Sequence, residues 1–131
     1  MDEIYPINSS TLYSAFLRSH ADALQAIEAE IRGEKAGALG RAGERLEDAL
    51  DALESVRASI GEIESRLRHG SNPPEEAASM RETHEQLAAR RAVCRDRAHL
   101  AYQYLIIQRE AVGVRSHLDV ERCYQISERL G

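Results

Sequence analysis

The chain has 131 residues, 43% of them hydrophobic and 30% charged, with no Trp, one Phe, three Pro and a formal charge of −5. That length fits one domain with a modest core, and the balance lies far from the disordered regime. The net negative charge argues against nucleic acid or an anionic lipid surface as partner, and no run of 18 apolar residues is present to span a membrane.

The opening, MDEIYPINSS, is acidic and lacks the apolar centre of a secretory signal, so a cytoplasmic location is expected. Residues 1–8 read as an extended arm, because Pro6 breaks any early helix. Ser9 or Ser10 then caps an N-terminal helix over about 9–32. Its stripe of Tyr13, Leu17, His20, Leu24, Ile27 and Ile31 has the 3-4 spacing of one helical face, widened by Phe16. Within that stripe His20 reads as a packed, hydrogen-bonded histidine.

Gly33, Gly37, Gly40 and Gly43 follow. They fit either a loop or one face of a continuous helix. Each helical glycine costs about 1 kcal/mol relative to Ala, and the stripe slips here, with eight residues from Ile31 to Leu39. Both facts favour a break near 33–37.

The next helix carries the strongest periodicity in the chain. Leu39, Leu46, Leu53, Ile60 and Leu67 recur every seven residues, and Ala42, Ala49, Val56 and Ile63 interleave them. Arg66, Arg68 and His69 complement the C-terminal end of its dipole, and Gly70 suits a left-handed cap. In Gly70-Ser71-Asn72-Pro73-Pro74, Asn72 reads as N-cap and Pro73 as first residue of a third helix. That helix reaches Val112 on a seam of Met80, His84, Leu87, Cys94, Ala98, Ala101, Leu105 and Val112, interrupted by Arg91 and Gln108. Ser116-His117-Leu118-Asp119 resembles a capping box and starts a short helix over about 117–129.

The fold expected is therefore all-α. A long antiparallel hairpin (about 37–69 and 73–112) carries the N-terminal helix as a three-helix bundle, plus the short C-terminal helix. A turn centred near 71–72 sets residue i beside about 143 − i, which brings the acidic block Glu44–Glu54 alongside Arg90, Arg91, Arg95 and Arg97. Cys94 and Cys123 both lie in helical patterns with no C-x-x-C partner, and read as buried, reduced thiols. Lys35 is the single lysine among 17 basic residues, a bias expected of a GC-rich bacterial genome.

The sequence gives little chemistry. Di-iron bundles place Glu-x-x-His on two inward-facing helices, whereas only Asp96-x-x-His99 approaches that pattern here, flanked by Arg95 and Arg97. Glu82-Thr83-His84-Glu85 projects its carboxylates away from its imidazole, and Cys94 and His99 share no helical face. No catalytic, cofactor or metal site is expected. The reading is a protein-protein interaction module (an adaptor, regulator or dedicated chaperone) whose partner is another protein, with homo-oligomerisation also expected. The rivals are a metal-binding bundle or enzyme using His20, His84 and His99, and a structural subunit of a larger assembly. The segment LAYQYLII has apolar groups around nearly the whole helix. Leu100, Tyr102, Tyr104, Leu105, Ile106 and Ile107 are therefore the candidate partner-binding residues.

Overall fold

The computed structural model describes residues 9–131, with side chains from residue 10 onward. The arm expected over 1–8 lies outside the described residues. Four helices follow in order: α1 (Ser9–His69), α2 (Pro74–Ala111), α3 (Leu118–Cys123) and α4 (Ile126–Arg129). The chain divides into two units, one ending at Gly37 and one from Ala38 to Gly131.

In the first unit every described residue from 10 to 36 is exposed. The expected break at 33–37 is absent. Helix continues through all four glycines, and no separate N-terminal helix packs as the third member of a bundle. Good helix formers (Glu34, Lys35, Ala36, Ala38, Leu39) separate the glycines and offset their cost. The phase slip between Ile31 and Leu39 has a simple cause. The first stripe is exposed and the second buried, so nothing requires them to share a phase.

The second unit contains the hairpin, with α1 and α2 packed against each other. Its core takes Ala42, Leu46, Leu50, Leu53, Val56 and Ile60 from α1, and Cys94, Ala98 and Leu105 from α2. Val120, Ile126 and Leu130 complete it, so the third layer is supplied by α3 and α4. That extra neighbour explains why Leu50, outside the heptad stripe, is only 1% exposed: the buried face of α1 is wide enough for two partners.

The register differs from the expected one. Glu64 meets His84 (3.1 Å), and the Arg45 guanidinium lies 5.6 Å from the Tyr104 ring centroid, so residue i lies across from about 148 − i. Residues 70–73 are non-helical, and Pro73 is extended (φ −53, ψ 148). The linker thus carries the chain past the end of α1 before α2 turns back. The acidic block does not pair with the arginines of α2 either. Asp51 and Glu54 bond Arg129, and none of the described ion pairs uses Arg90, Arg91, Arg95 or Arg97.

Local capping is rearranged in the same region. Pro73 is the N-cap of α2 and Pro74 its first residue, while the Asn72 amide donates back to the Arg66 carbonyl (3.0 Å) and closes α1 instead. Gly70 is not left-handed. It is needed because a Cβ there would sit 2.6 Å from the Arg66 carbonyl oxygen. Gly113, φ +91, makes the left-handed turn after α2. The expected helix over 117–129 is broken in two at Gln125, which is left-handed (φ 53, ψ 47).

Candidate protein-binding surface

The described residues of the first unit present an exposed apolar face. Tyr13, Phe16, Leu17, Leu24, Ile27 and Ile31 are exposed to between 44% and 65%. Contrary to expectation His20 is exposed too, its ring stacked on Phe16 with centroids 6.0 Å apart and planes 10° off parallel. The i, i+4 spacing on one helical face produces that contact. Seen from the sequence alone, this stripe is indistinguishable from the buried one that follows it.

On α2 the structure divides the candidate partner residues among three environments. Leu105 is 4% exposed and belongs to the core. Tyr102 and Ile106 are half-buried and, with Gln103, Ile107, His117 and Glu121, line a shallow groove of about 440 Å³ between α2 and α3. The Tyr102 hydroxyl donates to Glu121 Oε1 at 3.4 Å, and burial together with that carboxylate pushes its pKa up. Leu100 (65% exposed) and Ile107 (59%) point outward, and Val93 extends their line at the same seven-residue interval. Tyr104, also exposed, carries the Arg45 cation on its face.

A polar cluster that the sequence did not announce fixes the corner below the groove. Arg109 donates from Nη2 to both Asp119 oxygens (2.9 and 3.0 Å) and from Nε to His117 Nδ1 (3.3 Å). Arginine only donates, so His117 Nδ1 accepts. The ring proton then sits on Nε2, which donates to Glu110 Oε1 at 3.3 Å. Desolvation raises the Asp119 pKa, but the Arg109 hydrogen bond and the amide of Val120 outweigh it and hold the carboxyl below its ordinary value. Asp119 therefore serves a long-range contact where a capping box was expected. His117, not Ser116, occupies the N-cap, and it makes no side-chain cap.

The chemistry-bearing residues are dispersed. His84 bonds Glu64, and that hydrogen bond is the main cause lowering the Glu64 pKa. His99 and Asp96 line an open cleft of about 660 Å³ whose other walls include Arg57, Arg91 and Arg95. His84 and His99 are fifteen residues apart on α2, roughly 22 Å at 1.5 Å per residue. Among the described residues no group of three or more His, Cys, Asp or Glu side chains is placed to hold a metal ion. Cys94 and Cys123 are both free thiols, Cys94 buried as expected and Cys123 exposed. No helix among the described residues is long and apolar enough to cross a membrane. No protein-family model, curated protein or solved structure matches the chain.

Proposed function

We propose that this chain is a protein-protein interaction module of the cytoplasm, an adaptor, regulator or dedicated chaperone that acts by binding and not by catalysis. The observation that carries the reading is the apolar stripe from Tyr13 to Ile31, open to water along about five helical turns while a separate core closes completely. A contiguous patch of that size on a folded chain marks an interaction site. The outward line of Leu100 and Ile107, with the groove beside Tyr102 and Ile106, offers a second contact surface on the hairpin. Its apolar centre and wet, Tyr- and Gln-bearing edge suit a partner protein.

The test compares proteins retained from native lysate by the wild-type chain and by Leu24→Asp. Leu24 lies outside the buried cluster, so the substitution removes the stripe and leaves the hairpin core intact. Partners lost from the variant support the reading. The same partners held equally by both chains overturn it for this surface.

A further inference from the structure

We infer that the stripe from Tyr13 to Ile31 binds a second copy of this chain as a parallel, in-register two-stranded coiled coil, an inference that rests on the binding role proposed above. The spacing assigns heptad positions directly. Leu17, Leu24 and Ile31 fall at a, and Tyr13, His20 and Ile27 at d.

Three observations favour a second copy in this orientation. The first is charge. Position g of one helix meets position e of the next heptad on its partner when the helices run parallel. That places Glu30 against Lys35 of the second copy and Lys35 against its Glu30, while the other g–e meetings are Phe16 with Ala21 and Ala23 with Glu28. None of these g–e meetings joins like charges, and the apolar seam ends at Ile31 because Glu34 takes the next d position. Reversed, the same stripe aligns its apolar layers only by setting Glu30 against Phe16 and leaves Lys35 without an acid. The second is His20, the polar side chain at the centre of the seam, with the Tyr13 hydroxyl at its end. A polar core position specifies register, because a buried imidazole needs a hydrogen-bond partner. In the parallel, unshifted pairing the two His20 rings meet, and the Nε2–H of one satisfies a ring nitrogen of the other. In the reversed pairing each ring is buried against Leu24. The Phe16 stack already holds the ring in place within each helix.

The third is area. Tyr13, Phe16, Leu17, Leu24, Ile27 and Ile31 each leave about half a large side chain in water. Two copies therefore have on the order of 1,000 Å² to cover, the threshold for a specific and reversible interface.

Sedimentation equilibrium of the full chain tests the proposal. The wild type is expected to dimerise with a dissociation constant in the micromolar range. Lys35→Glu should weaken the dimer about tenfold by setting two glutamates together twice, and the exchange Glu30→Lys with Lys35→Glu should restore it to within about threefold. Leu24→Asp should be monomeric, with the thermal melt of the hairpin core unchanged as the folding control. A wild-type chain that stays monomeric at 100 μM overturns the second copy as occupant, whatever the lysate comparison shows. A dimer indifferent to Lys35→Glu overturns the parallel register. Loss of partners from Leu24→Asp in lysate, with a monomeric wild type, leaves the binding role standing and removes only this inference.

Discussion

Arg129, its side chain 17% exposed, binds three groups at once: Glu54 Oε1 through Nε (2.7 Å), Asp51 Oδ1 through Nη2 (3.2 Å) and the Tyr124 carbonyl through Nη1 (3.4 Å). Its own carbonyl accepts from Arg57 Nη1 at 2.6 Å. Exposed ion pairs contribute about 0.2–1 kcal/mol each, so Arg129→Ala should lower stability by about 1–2 kcal/mol in urea unfolding, through loss of this clamp. Such partners were not legible in the sequence. The acidic block from Glu44 to Glu54 faces several candidate arginines on paper, and ion pairs this weak follow the backbone placement that packing sets. Asp119 and Glu64 have folded pKa values below their ordinary 3.8 and 4.5, so the unfolded chain binds more protons in acid. Their stabilisation is complete above those ordinary values and is lost as pH falls through the lowered ones. The urea midpoint should therefore drop between pH 5 and pH 3, and the drop should be shallower in an Arg109→Gln, His84→Gln variant.

At the scale of elements, the glycines of α1 separate into two kinds. A Cβ on Gly33 or Gly40 meets nothing within 4 Å, whereas one on Gly43 would sit 3.0 Å from the Tyr124 hydroxyl. Gly40→Ala should stabilise the helix by about 1 kcal/mol, read as a higher midpoint in urea. Gly43→Ala should gain less, and adding Tyr124→Phe should recover the difference. The left-handed Gln125 between α3 and α4 offers a comparable gain. Gln125→Gly removes a backbone penalty of about 1–2 kcal/mol at some entropic cost, for a net rise of up to about 1 kcal/mol. The hairpin itself was legible because its signals are local: the Gly70–Pro74 linker and the seven-residue repeat from Leu39 to Leu67. The elements around it were not. Val120 and Ile126 belong to helices of six and four residues, too short to show a period, and Leu130 is the C-cap of the second. The longer, cleaner stripe from Tyr13 to Ile31 looked like the better third layer.

For the whole molecule, that exchange of third layers decides what stays exposed. Periodicity reports that a face is apolar, and only the distant partner decides whether the face is buried. Hence the core residues of α1 other than Leu50, and those of α2, can be named from sequence, while the periodicity places the most accessible apolar surface in the interior. Leu105, the one member of the 100–107 group that is fully buried, shows the same limit in reverse. Leu53→Ala, in the centre of the closed core, should cost about 2–5 kcal/mol in urea unfolding, whereas Leu24→Ala should leave the hairpin transition unmoved. The clamp at Arg129 also bears on the order in which the fold is made. It joins residues 75 and 78 positions apart, and Ile126 and Leu130 on either side of it in sequence belong to the same buried cluster as Leu50 and Leu53. During synthesis that face emerges first and has to wait for nearly eighty further residues before its lid exists. Until residues 118–130 pack, the hairpin is an open, sticky intermediate. A chain truncated after Tyr124 should accordingly be cleaved by protease within 42–60, and the chain to Gly131 should resist at the same segment.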